Sequence, residues 1–147
     1  MRMRIVVVVA LTLLSIGCPA PKPAVKITEP VEGALVDPSQ MVRGTSRWVP
    51  TGQAIWVVVF VQKVGRYYPQ NQAADVQANG GWSSITYIGI PSDVGLKFDL
   101  IAVLADSEGQ AAFNKYLTNA RNKSDYAGLE QLPTGATVYD RISVTRK

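Results

Sequence analysis

The chain has 147 residues, 47% of them hydrophobic and 18% charged, which excludes a wholly disordered chain and suits one domain with a real core. Fifteen Lys and Arg against eleven Asp and Glu give a formal charge of +4, but no clustered basic patch argues for nucleic acid. Histidine is absent and Cys18 is the only cysteine, so the commonest general base and metal ligand are missing and no internal disulfide can form.

Arg2 and Arg4 precede an apolar run over residues 5–14, interrupted only by Thr12. The run is too short to span a bilayer, which takes about 20 residues, and reads as the h-region of a signal peptide. Ser15-Ile16-Gly17-Cys18 follows. This resembles the lipobox of bacterial lipoproteins, in which a signal peptidase cuts before a cysteine that carries a thioether-linked diacylglycerol. Gly17 and Cys18 match the pattern; Ser15 stands where Leu is usual. The resemblance implies a signal peptide over 1–17, a lipid (palmitate-bearing) anchor on Cys18, and an extracytoplasmic location in the cell envelope. Pro19 is not Asp, so the resemblance gives no signal for retention at an inner membrane. Loss of Arg2 and Arg4 lowers the charge to +2, thirteen basic against eleven acidic side chains.

Residues 18–24 comprise the cysteine and a Pro-rich tether, PAPKP over 19–23, stiff and extended. The domain proper is expected over 25–147. Val25-Lys26-Ile27-Thr28 alternates and reads as a strand; Pro30 and Gly33 then bend the chain before Val36. That spacing, followed by Val42-Arg43-Gly44-Thr45-Ser46, is similar to the opening of bacterial extracellular Ig-like modules. It implies a first strand that breaks and crosses between two sheets.

Residues 55–62, IWVVVFVQ, follow a Thr51-Gly52 turn and read as a central strand buried on both faces. Ile55, Val57, Val59 and Val61 share one face, and Trp56, Val58, Phe60 and Gln62 the other. Trp56 resembles the buried tryptophan on strand C of Ig domains, although the inter-sheet cysteines and the tyrosine corner are absent. Residues 65–70 read as a turn and short strand, 71–78 as a loop, Asn79-Gly80-Gly81 as a hairpin turn, and 82–88 as a strand that puts Trp82 in the core. A second central strand spans 97–105, with one face that starts polar at Lys97 and Asp99 and turns apolar at Ile101 and Val103.

Ser107-x-x-Gln110 fits a capping box, and Ala112, Phe113, Tyr116, Leu117 and Ala120 share a helical face. The pattern predicts a helix from about Glu108 to Asn119, laid over Val57, Val59, Ile101 and Val103. Arg121-Asn122-Lys123 suits a helix C-terminus. A polar connection spans 121–137. The last strand, 138–146, should turn Val138, Ile142 and Val144 inward and Arg141, Ser143 and Thr145 to water. The fold class is therefore mostly β: an Ig-like antiparallel β-sandwich with one α-helix before the last strand.

No spacing of acidic residues makes a calcium loop or a catalytic carboxylate pair, Asp106-Ser107-Glu108 reads as helix capping, and Asn79-Gly80-Gly81 lacks the lysine of a phosphate loop. The expectation is a non-enzymatic protein with no metal and no cofactor. Trp48, Tyr67, Tyr68 and Tyr126 fall in loops or short edges and are the candidate binding residues. The expected function is a membrane-anchored envelope lipoprotein whose domain binds or assembles with a protein. The alternatives are a carbohydrate-binding accessory domain using these aromatics, or a structural spacer. The expected partners are the membrane, through Cys18, and an envelope protein or glycan.

Overall fold

A computed structural model describes residues 17–147. The basic and apolar parts of the signal-like segment lie outside the described residues. Nine strands and one helix follow in chain order: β1 (Ala24–Glu29), β2 (Leu35–Val36), β3 (Ser39–Arg47), β4 (Ala54–Val61), β5 (Arg66–Pro69), β6 (Asp75–Val76), β7 (Gly81–Tyr87), β8 (Lys97–Ala105), α1 (Ser107–Lys123) and β9 (Ala136–Arg146). They form two sheets, ordered β1-β3-β7-β6 and β2-β9-β8-β4-β5. All pairings are antiparallel except β2 with β9. The chain is thus a β-sandwich with a helix before the last strand. The chain bends at Pro30 to Gly33, as the Pro and Gly spacing predicts, and β1 belongs to one sheet and β2 to the other, the crossing that the resemblance implies.

β4 lies between β8 and β5 and is buried on both faces, as its eight-residue apolar run requires. Ile55, Val57 and Val59 join Leu100, Ala102, Leu104, Phe98, Val144 and Trp82 in the core between the sheets. Trp82 lies against Gly44 of β3, its cross-strand partner, and its indole N–H donates to the Thr45 carbonyl at 3.1 Å. Only a residue without a Cβ leaves room for that ring.

The helix packs on the other face of β4, and here the expected partners are corrected. Phe113 and Leu117 bury against Trp56, Val58, Ile101, Val103 and Ala105; Val57 and Val59 point into the sandwich instead. The register explains it. Trp56 lies opposite Val103 and Val58 opposite Ile101, and residues directly opposite share a face. A face that holds Ile101 and Val103 must therefore hold Trp56 and Val58. The likeness of Trp56 to the tryptophan inside Ig sandwiches is corrected with it: the indole packs on Phe113, ring centroids 5.1 Å apart, and Trp82 fills the space between the sheets.

The helix start also differs from the expected capping box. Asp106 is the N-cap, its Oδ1 accepting from the amides of Glu108 at 2.9 Å and Gly109 at 3.0 Å. Gln110 instead donates to the Gly52 and Ala105 carbonyls. Gly109 admits close approach of the chain before β9, since a Cβ there would lie 2.7 Å from the Gly135 carbonyl oxygen. The helix runs on to Lys123, four residues beyond Asn119, and stops at Ser124 in a left-handed conformation whose amide donates to the last turn. Two loops also acquire structure: β6 pairs with β7, and Leu129 exchanges backbone hydrogen bonds with Tyr67 across the edge of β5.

β9 carries a bulge that corrects its expected alternation. Asp140 pairs with Ala102 and Val138 with Val103, so Tyr139 is the extra residue. Tyr139 packs against the inner core, and Asp140 reaches across the mouth of the sandwich to accept from the Ile27 amide of β1 at 2.8 Å. Val138, expected inside, is turned out and exposed, whereas Ile142 is half-buried and Val144 buried. Of the residues expected to face water, Arg141 is exposed, but Ser143 and Thr145 are half-buried.

Candidate binding surface

The sandwich has two unlike ends. Ala24 pairs with Arg47, and Ala54, Ala105 and Ala136 form one row, so the Pro-rich segment expected to be a tether joins the fold where β3 and β8 end and β4 and β9 begin. Loops 30–34, 62–65 and 88–96 close the far end.

The helix covers only part of the outer face of the five-stranded sheet. Beyond it, one row crosses four strands: Tyr67 of β5, Phe60 of β4, Asp99 of β8 and Ser143 of β9. Phe60 and Tyr67 pack with their rings tilted by 44° and centroids 4.7 Å apart, and the Arg141 guanidinium lies 4.9 Å above the Phe60 ring. Asp99 sits beneath, with a side chain only 9% exposed. Its Oδ1 accepts from the Ser143 hydroxyl at 2.6 Å and the Gln62 amide at 2.7 Å; its Oδ2 accepts from Arg141 Nε at 2.9 Å and from Nη2. Burial pushes the carboxyl up, but the bonds from Ser143, Arg141 and Gln62 together outweigh it and hold Asp99 below the usual aspartate range. A carboxylate with every acceptor position engaged orients its neighbours and does not serve as a free base. Arg141 keeps a side chain 44% exposed.

At the far end, Val31, Val64, Ile90 and Val94 of the loops and Leu35 of β2 are each more than half exposed. They are not scattered freely. Gly33 donates to the Ser143 carbonyl at 2.7 Å and Glu32 accepts from the Ser143 amide at 2.8 Å, which lays loop 30–34 along β9 beside Asp99. Leu35 pairs with Thr145, and Gly95 donates to the Arg146 carbonyl. Arg146 is buried, and no carboxylate pairs with it among the described residues.

The sequence-predicted site residues do not converge. Tyr67 belongs to the row that crosses four strands. Tyr68, the next residue along the strand, turns to the opposite face, packs against the inner core and donates weakly to the Ala127 carbonyl at 3.4 Å. Tyr126 is exposed in the turn after α1. Close by, Tyr116 accepts from the Gly128 amide, and burial, more than the neighbouring Tyr68, Asp125 and Tyr126, raises its hydroxyl above the ordinary value. Trp48 stands at the tether end, one residue past β3, and Cys18 is exposed. Phe60, Asp99 and Arg141 are additions. The polar start of one face of β8 and Gln62 at the end of β4 were the available signals, because a polar pair in facing positions marks where the covered face stops.

Among the described residues no group of three or more Asp, Glu or Cys side chains is placed to hold a metal ion, and no helix is long and apolar enough to cross a membrane. No family model matches the chain, and no curated protein matches it.

Proposed function

We propose that the chain is a lipid-anchored envelope lipoprotein whose Ig-like domain binds a protein partner without catalysis, through its far end. One observation carries this reading: the Pro-rich segment and the exposed aliphatic residues Val31, Val64, Ile90 and Val94 lie at opposite ends of the sandwich. A domain held at one end presents the other to the envelope. There, aliphatic residues are exposed and Arg141 lies over Phe60, which packs on Tyr67; aromatics and Arg are the residue types enriched where partners dock. The bonds that Arg141 donates to Asp99 hold its guanidinium in place before any partner arrives, which lowers the ordering cost of association.

Photo-crosslinking in intact cells tests the reading. A photoreactive residue at position 64 or 94 should give a discrete protein adduct; one at position 85, on the outer face of the four-stranded sheet, should not. No adduct from either far-end position would leave the domain a spacer.

A further inference from the structure

We infer that the tether end of the domain rests on the bilayer, with the Trp48 indole seated among the lipid headgroups and Lys22, Lys26 and Arg47 facing anionic lipid. This rests on the proposal that Cys18 carries the lipid. The register fixes the geometry: Ala24, where the tether meets the fold, pairs with Arg47, and Trp48 is the next residue. Five residues separate Cys18 from Ala24, and at about 3.1 Å per residue a Pro-rich segment of that length reaches only about 16 Å. The anchor thus holds this end close to the membrane whatever the domain does.

Trp48 is unlike the other tryptophans. Trp56 and Trp82 are 2% exposed, Trp48 58%. Its backbone is left-handed, with φ 52°, a rare and strained conformation for a bulky residue. The fold gains no core packing from it, because the neighbouring Val49 supplies the contact with the inner core. The indole instead borders a shallow depression of about 340 Å³, shared with Val76 and the 77–80 turn. Val76 is itself half exposed. An exposed indole beside apolar surface, at the height of a short tether, matches the amphipathic interface of a bilayer, where tryptophan is enriched.

The charges agree. Lys22, Lys26 and Arg47 are exposed and form no ion pair among the described residues. Of the four nearby acids, two are engaged by the fold. Asp140 accepts from the Ile27 and Arg141 amides, and Asp106 caps the helix. Glu108 and Asp75 remain exposed. Basic side chains within a Debye length of anionic headgroups are attracted to them.

The buried state of Trp56 and Trp82 makes the test selective. The full chain is expressed with labelled palmitate, purified in detergent and reconstituted into phosphatidylcholine–phosphatidylglycerol vesicles whose acyl chains are brominated near the headgroup. If the label is present and Trp48 is docked, tryptophan emission is quenched relative to unbrominated vesicles, and Trp48→Phe abolishes the difference. Label without quenching, or quenching that survives in Trp48→Phe, overturns the docking while leaving the anchor intact. No label on the wild-type chain overturns the anchor, and this inference with it.

Discussion

Arg141 donates to Asp99 from both Nε and Nη2, and both bonds fall on one oxygen, Oδ2. Oδ1 is left to Ser143 and Gln62. One carboxylate thus joins β4, β8 and β9 at the point where the helix no longer covers them. Asp99→Asn keeps the shape, loses the charge, and turns an amide N–H₂ toward groups that are themselves donors. It should cost about 1–2 kcal/mol, the range for a hydrogen bond to a charged group after screening by the solvent that reaches Arg141. The sign of the pH effect follows from the lowered carboxyl. The unfolded chain binds this proton more readily, so the stabilisation is complete above the ordinary aspartate value of about 3.9 and is lost as pH falls below it. The gap in melting temperature between wild type and Asp99→Asn should narrow as pH falls from 7 to 3. A constant gap would remove the charge from the explanation.

Phe113 is the centre of the contact between helix and sheet, fully buried against Trp56. Phe113→Ala should cost about 3–5 kcal/mol through lost burial and the cavity left behind. Phe113→Asp should cost more, because the carboxylate has no partner there. Urea unfolding measures both, and a midpoint for Phe113→Asp equal to wild type would refute the packing.

Gly44 accommodates the Trp82 indole and the Lys26 carbonyl, both of which a Cβ would overlap. Gly44→Ala should therefore be destabilising, by about 1–3 kcal/mol as overpacking in a filled core is, and should alter the near-ultraviolet circular dichroism. An unchanged spectrum and midpoint would mean that the two strands separate without cost.

Cys18 should incorporate labelled palmitate, and Cys18→Ser should not. Each acyl methylene buried in a bilayer contributes about 0.8 kcal/mol, so the serine variant should also leave the membrane fraction on carbonate washing. Label on both proteins would place any acyl chain elsewhere.

The sandwich was legible because its signals are local. Val-rich runs at 55–61 and apolar alternation over 97–105 mark strands, Pro30 and Gly33 mark the break, and Asn79-Gly80-Gly81 marks the hairpin. What was misread depends on register. Which of two apolar faces of β4 receives the helix is decided by pairing Trp56 with Val103, a relation between distant residues that no single stretch carries. The bulge at Tyr139 is invisible for the same reason: one extra residue reverses the sense of Val138, and only the partner strand reveals it. The cap moved by one residue because Asp106 and Ser107 are both competent N-caps, and only packing against Gly135 distinguishes them. For the binding surface, exposure favoured loop tyrosines, while the grouping of Tyr67 with Phe60 and Arg141 again needed the register.

The hydrogen bond from the Ile27 amide to Asp140 has a consequence for neighbours as well as for the fold. β1 is the outermost strand of its sheet, and an outermost strand is a template on which an identical strand from another copy can add. The extra residue in β9 places a negative side chain across that rim, and an approaching copy finds one of its donors already occupied.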